Sequence, residues 1–484
     1  MRPRGTVANR APAVPSAEEL AFLPVTELAV LLRAKRLSPV ELVRVYLERI
    51  ERFNPKLNAY LTLPAEGALA DARRAEREIA RREWRGPLHG IPVALKDNIR
   101  THGVRTTAGS KILRDFVPQG DATVVTRLRE AGAIVLGKTH LHEFAYGVTC
   151  NNVHFGPARN PYDLARIPGG SSGGSAIAVA AGLCAAALGT DTGGSIRIPA
   201  ALCGIAGFKP AFGALPVDGI VPLCVSLDHV GPMTRSVLDA ALLYRAMREP
   251  ESKKKGAKLF PGPPREWSSG RGIRMGWPHD YFFDRVAPEV MAAIRTAREL
   301  WQERGVKFVS VSLAQLEAAN RATLPIALAE AYQYHRAAGY FPARAADYSD
   351  DVRGRLEKGA AITAADYLDA REVCRRATQE FENCAEQVDV LLAPTVPIPA
   401  PRIGEERVTI AGEDEDVRGA LLRLCRPANL WGAPALSIPC GATPEGLPIG
   451  LQLIGFEGRE EKLLQVAQIY EQATEWQARR PKLV

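Results

Sequence analysis

The chain has 484 residues, 46% apolar and 24% charged, which is an ordinary balance for a globular protein with a sizeable core. The formal net charge is +8, but the basic residues are spread along the chain and most sit beside acids. That distribution speaks against a dedicated nucleic-acid surface and for a solvated one. Eight cysteines are scattered with no C-x-x-C pair, which argues against a disulfide framework or a zinc site and for a reducing compartment.

Residues 1–15 carry Arg2, Arg4 and Arg10 but no apolar run, and read as a loose tail without a secretory signal. Thr26–Lys35 and Ser38–Asn54 read as amphipathic helices. The second opens on Ser38-Pro39-Val40-Glu41, a capping box with proline at the first helical position, and Asn54-Pro55 should end it. Ala65–Trp84 reads as an exposed, charged helix. From Gly90 onward, short apolar runs (Ile91–Leu95, Ala133–Leu136) alternate with helical patterns (Ala122–Ala131), the signature of an α/β core.

Ile167–Thr190 carries no charge, yet only Ala176–Gly189 is apolar, which is short of the roughly 20 residues a membrane span needs. A buried helix followed by a buried strand is the reading. Lys253–Arg271, with Lys253, Lys254, Lys255 and Lys258, reads as a surface excursion. Helical patterns follow at Val286–Gly305, Ala327–Tyr340 and Ala364–Val388. A short strand at Val390–Leu392, a closing pair of strands within 436–455 and a last helix at Glu460–Thr474 complete the chain. No repeat of fixed period appears, and the later elements can return to the same sheet.

Chemistry concentrates in three places. One is Ile91-Pro92-Val93-Ala94-Leu95-Lys96, an apolar strand that ends abruptly in lysine. The others are two glycine-rich turns, Gly169-Gly170-Ser171-Ser172-Gly173-Gly174-Ser175 and Asp191-Thr192-Gly193-Gly194-Ser195-Ile196-Arg197. Both turns are flanked by apolar segments, unlike a flexible Gly/Ser linker. Runs of free N–H at such turns can hold an anion. No phosphate-loop pattern with a following Lys-Ser/Thr is present. Gly169–Gly173 formally matches G-x-S-x-G, but His229, His279 and His335, the histidines after residue 200, lack a supporting motif. His140-Leu141-His142-Glu143 is not H-E-x-x-H, so no metal is expected, and no cofactor either.

These stretches resemble the amidase signature family. The resemblance runs from about Leu28 to the C-terminus and weakens between roughly 250 and 385, the region that varies with substrate in the family. It implies one α/β domain over 16–484, with a central mixed sheet covered by helices on both faces. It also implies a catalytic lysine at Lys96, a cis-peptide serine at Ser171 and a nucleophile at Ser195. The chemistry is coherent if Lys96 is neutral. Burial can bring a lysine from about 10.4 to roughly 7–8, so that it takes a proton from Ser171, which takes one from Ser195. A serine suits the middle of the relay because its hydroxyl both donates and accepts.

The oxyanion is expected on the backbone N–H groups of Thr192, Gly193, Gly194 and Ser195, with Asp191 and Arg197 as rigid supports of the turn. The resemblance places Ala145, Tyr146, Gly147 and Thr149 as walls of the acyl pocket and the Gly170 carbonyl beside the substrate nitrogen. Tyr332, Tyr334 and Trp431 are weaker wall candidates, since aromatics on helices usually pack in cores. Cys203 fits a buried family cysteine with a structural role.

Three functions are weighed. The first is a stand-alone cytoplasmic amidase cutting a linear amide, aryl amide or carbamate. Its partner would be the small amide substrate, with no nucleic acid and no membrane, and its assembly a homodimer. The second is the A subunit of a glutamine-dependent aminoacyl-tRNA amidotransferase, which works inside a complex and passes ammonia to aminoacyl-tRNA. It is suggested by Glu143-Phe144-Ala145-Tyr146-Gly147 and Pro427-Ala428-Asn429-Leu430-Trp431-Gly432. Against it, Leu422 stands where that protein has an acidic residue gripping the glutamine amino group. Arg336-Ala337-Ala338-Gly339 also replaces an Arg-Phe-Asp-Gly motif. The third, an inactive scaffold, is disfavoured by the intact Lys96, Ser171 and Ser195. On these grounds the sequence favours the stand-alone amidase.

Overall fold

Ser38 caps the Pro39–Leu57 helix with the reciprocal capping box its sequence predicts. The helix does not stop at Asn54 but runs through Pro55 to Leu57, and Asn58 closes it in the left-handed conformation at φ 52°. Proline this near the end removes a single helical hydrogen bond, and the Asn54 side chain accepts from Ala59 and Tyr60 N–H as the chain leaves. The next helix, Ala65–Ala80, is shorter than its charge pattern suggests. The computed structural model describes residues 15–248 and 269–483. The tail at 1–14 and most of the Lys253–Arg271 excursion, with its lysines, lie outside the described residues.

Eleven strands form one mixed sheet. Its left half runs Tyr60–Thr62, Ile134–Thr139, Pro92–Lys96, Ala186–Asp191, His229–Thr234 and Ala206–Lys209. Its right half continues with Ala435–Ala442, Pro448–Ile454, Val390–Pro394, Arg274–Pro278 and Lys307–Val311. Pro92–Lys96 is parallel to both of its neighbours, and Ala186–Asp191 pairs antiparallel with His229–Thr234. Lys96 and Asp191 therefore sit at the same end of adjacent parallel strands, the end from which the Asp191–Arg197 turn departs.

Helices flank the sheet, as expected for an α/β fold, and the molecule is a single domain. The uncharged segment folds as a helix, Gly173–Ala180, and a strand, Ala186–Asp191, both wholly buried. Its small residues let that helix pack against the strand carrying Lys96 and against the Arg197–Cys203 helix. Among the described residues no helix is long and apolar enough to cross a membrane.

The region of weaker family resemblance contributes two strands to the sheet edge and, among its helices, Leu316–Ala337, Asp350–Ala360 and Ala364–Cys384. Leu316–Ala337 begins well before the predicted Ala327 and keeps Pro325 inside it. These helices share an apolar cluster with Phe144, Tyr146, Leu223 and Leu227, which brings them over the catalytic end of the sheet.

Candidate active site

Lys96 is the last residue of its strand and is fully buried. Its Nζ donates to Ser171 Oγ at 2.7 Å, to Thr190 Oγ1 at 2.7 Å and to the Thr190 carbonyl at 3.3 Å. All three acceptors are neutral. Burial therefore prevails over the more distant charges of Asp191 and Asp228 and brings the ammonium down to about 7. A strand-end lysine, which exposure preferences would put in solvent, is here wholly shielded from it.

The Gly170–Ser171 peptide bond is cis. A Cβ on Gly170 would lie 2.9 Å from the Val148 carbonyl carbon, so only glycine fits this close approach. Ser172 N–H donates to the Ser195 carbonyl at 3.2 Å, and Ser172 Oγ donates to the Thr190 carbonyl at 3.1 Å. The two glycine-rich turns are thus tied together, with Ser171 and Ser195 on either side of the tie. Ser195 is 5% exposed and lines a cleft; Ser171 is wholly buried beneath it.

Asp191 organises the turn that carries Ser195. Its carboxylate accepts Gly194 N–H at 2.7 Å, Ile196 N–H at 3.1 Å, Asn429 Nδ2 at 2.9 Å and two nitrogens of Arg197 at 3.1 Å. Burial alone would raise this carboxyl, but the Arg197 charge and these hydrogen bonds hold it well below the usual range. Arg197, also fully buried, bonds the Cys425 carbonyl, Gln452 and Asn429 as well.

This arrangement corrects one expectation. Gly194 N–H is committed to Asp191 and is not free for an oxyanion. The N–H groups of Thr192, Gly193 and Ser195 take part in none of the described hydrogen bonds. Gly194 instead supplies conformation, at φ 126°, and close packing against Cys425 and Ile198.

Ala145, Tyr146 and Gly147 line the same cleft as Thr192, Gly193 and Ser195. Thr149 does not: its Oγ1 lies 3.4 Å from His142 Nδ1 and accepts Asn151 N–H. Gly170 packs against the backbone of Val148 and Thr149 and is not among the lining residues. Trp431 stacks on Phe381 with centroids 4.0 Å apart, a core contact, and Tyr332 and Tyr334 line a separate surface groove. Cys203 is buried and donates to the Pro168 carbonyl.

His140 bonds the Gly156 carbonyl, His142 faces Asp351, and Glu143 binds Ser110, His154 and Ser349 N–H. Each polar side chain of the His-Leu-His-Glu stretch thus has its own partner in the protein. Among the described residues no three His, Cys, Asp or Glu side chains are grouped to hold a metal ion.

Several neighbours escaped the sequence reading. Thr190 shares Lys96 with Ser171, and Asn98 bonds the same Thr190 hydroxyl at 3.2 Å. Asp228 accepts Thr192 Oγ1 at 2.5 Å, and burial pushes its carboxyl up to about 6. Arg418 and Arg426 line the cleft beside Leu422. A threonine two residues before the oxyanion turn was the one signal available; the arginines reach the cleft only through the tertiary fold.

The amidase family model matches residues 41–464. The chain belongs to the amidase signature family. It is 42% identical to the A subunit of a glutamyl-tRNA(Gln) amidotransferase of Moorella thermoacetica, over 96% of this chain and 99% of that protein. Its fold matches the structure of an amidase at TM-score 0.84 and 37% identity, over 93% of this chain and 99% of the other. It also matches the A subunit of the glutamyl-tRNA(Gln) amidotransferase of Thermotoga maritima at TM-score 0.76 and 33% identity, over 94% and 95% of the two chains.

These relatives overturn the preference for a stand-alone amidase. They also overturn the expectation of a small amide as sole partner with no nucleic acid. Leu422 and the Arg336–Gly339 stretch were two local differences, and similarity to amidotransferase subunits over nearly the whole of both chains outweighs them. This amidase-signature enzyme acts on amide bonds.

Proposed function

We propose that this chain is the amide-cleaving A subunit of an amidotransferase of the glutamyl-tRNA(Gln) type, working in the cytoplasm. The full-length similarity to such subunits carries the reading. Eight unpaired cysteines fit the compartment.

In this proposal neutral Lys96 takes the Ser171 proton while Ser171 takes that of Ser195. Ser195 Oγ then attacks the carboxamide carbon. The developing oxyanion is met by N–H groups of Thr192, Gly193 and Ser195, each worth about 2.7–4 kcal/mol in such sites. As the tetrahedral adduct collapses, Ser171 returns a proton to nitrogen and ammonia leaves. Water, deprotonated through the same relay, hydrolyses the acyl-enzyme. Ammonia passes to the side-chain carboxyl of the tRNA-linked glutamyl group, which another subunit would first activate as an acyl phosphate with a nucleoside triphosphate, and phosphate leaves as the amide forms. The 2.7 Å contact of Lys96 with Ser171 and the lowered lysine pKa support the first step.

The test uses the protein isolated from its own cells with the subunits it carries, supplied with glutamyl-tRNA(Gln), amide-15N glutamine, ATP and magnesium. Transfer of 15N to the tRNA-linked acyl group is the expected outcome. Amide hydrolysis with no label on the tRNA-linked product contradicts the reading.

A further inference from the structure

Strand pairing sets Asp228 beside the turn that carries Ser195. His229 opposes Asp191 in the antiparallel pair of Ala186–Asp191 with His229–Thr234, so the residue before His229 meets the residue after Asp191. Asp228 Oδ1 accepts the Thr192 hydroxyl at 2.5 Å, and Oδ2 accepts Leu223 N–H at 2.9 Å and Cys224 N–H at 3.1 Å. All three donors are neutral. Burial lifts the carboxyl to about 6, which leaves it ionised at neutral pH and an acceptor on both oxygens. A hydroxyl–carboxylate hydrogen bond is shorter and roughly twice as strong as one between neutral groups. Glu330 and Lys96 act on this charge from further off, the first against it and the second with it.

The peptide between Asp191 and Thr192 is held at its other end. Its carbonyl accepts Asn429 Nδ2 at 3.1 Å and lies 3.2 Å from His229 Nδ1, which also meets the Leu227 carbonyl at 2.7 Å. Two carbonyl neighbours place the proton of that ring on Nδ1. A trans peptide is planar and its N–H points away from its C=O, so a gripped Asp191 carbonyl orients the Thr192 N–H. Thr192 lines the Ser195 cleft and also a second cavity, which it shares with Asn98, Thr190, Asp228 and His229. The strap is braced in turn. Glu330 of the Leu316–Ala337 helix accepts Ser226 N–H at 2.9 Å and Ser226 Oγ at 2.6 Å, and Leu223 and Leu227 of the same loop line the Ser195 cleft.

We propose that Asp228 is a positioning residue for amide cleavage: by gripping the Thr192 hydroxyl it keeps the Thr192 N–H aimed at the oxyanion as that charge forms. The inference rests on the amide-cleaving reading of Ser195 and adds to it a residue that acts only through Thr192. A donor aimed in advance needs no reorganisation during the reaction, which is where such a hydrogen bond gains its worth.

The test measures, on the complex as isolated, the rate at which a fluorophosphonate labels Ser195 and the kcat and KM of glutamine hydrolysis. Attack on phosphorus also places negative charge on an oxygen, so labelling uses the same donors. Thr192→Val breaks the bond but leaves the carboxylate charge, and Thr192→Ser keeps the bond. Asp228→Asn cannot accept from Thr192 and from both loop N–H groups at once. Thr192→Val and Asp228→Asn should each slow labelling about tenfold or more and lower kcat to match, with KM within about threefold of wild type. Thr192→Ser should label within about threefold of wild type, and the double variant Asp228→Asn/Thr192→Val within about threefold of the slower single one, because both changes break one bond. The labelling midpoint near pH 7 should persist in Thr192→Val, which damage to the Lys96 relay would remove. Equal rates for Thr192→Val and Thr192→Ser overturn the inference, and so do losses that multiply in the double variant or fall on KM alone. Should Asp228→Asn not fold, the comparison of Thr192→Val with Thr192→Ser decides by itself. Failure of the probe to label Ser195 in the wild type removes the amide-cleaving reading, and the inference with it.

Discussion

Lys96 Nζ lies 2.7 Å from Ser171 Oγ, and both side chains are wholly cut off from solvent. A lysine held near 7 when folded and near about 10.4 when unfolded binds more protons in the unfolded state between those values. Stability must therefore rise with pH across that window on account of this group. Lys96→Met removes the contribution. Between pH 7 and pH 9 the wild-type chain should gain about 2 kcal/mol of unfolding free energy relative to the variant. Urea denaturation of both proteins at the two pH values reads this directly, and parallel behaviour of the two contradicts a neutral lysine.

Arg197 binds Asp191, Asn429, Gln452 and the Cys425 carbonyl at once. Arg197→Leu leaves the buried Asp191 carboxylate without its counter-charge and several polar atoms without partners, a loss of about 3–5 kcal/mol in comparable pairs. The same carboxylate sets the Gly194 and Ile196 amides, so the turn loosens and kcat falls at least tenfold in protein that remains folded. Denaturation curves and steady-state kinetics on the folded fraction check both parts. A variant within about 1 kcal/mol of wild type would show that this network does not support the turn.

The catalytic end of the sheet was legible because its signals are local. Lysine after an apolar run, and glycine-serine turns beside apolar segments, sit within short stretches of chain; the fold sets Lys96 against Ser171, and the Ser172 N–H ties that turn to the one carrying Ser195. What needed three dimensions was hidden. The commitment of Gly194 N–H depends on which way the Asp191 carboxylate turns, and Arg197 with Asn429 decides that. Arg418 and Arg426 carry no local signal, and only the tertiary fold, with residues of the Leu316–Ala337 helix on the same cleft, brings them beside Ser195. Asn54-Pro55 looked like a helix stop, yet the helix runs past it to Leu57, and Pro325 sits inside the Leu316–Ala337 helix. Arg274–Pro278 and Lys307–Val311 are short strands at one edge of the sheet, and nothing in their flanks distinguishes them from loops.

One local difference carried too much weight. An amino-group partner was sought at Leu422 and not found, and that absence was taken to favour a stand-alone enzyme. Similarity to amidotransferase subunits over nearly the whole of both chains outweighs this one apolar position.

The most direct measurement of the central claim is the pH dependence of Ser195 labelling by a fluorophosphonate, compared between wild type and Lys96→Ala. The account predicts a wild-type labelling rate that rises through a midpoint near 7 as Lys96 loses its proton. It predicts a folded variant with no turnover, labelled at least about 100-fold more slowly and without that midpoint, in line with the usual worth of a general base. A midpoint near neutrality that persists in Lys96→Ala, or a variant labelled as fast as wild type, would contradict it.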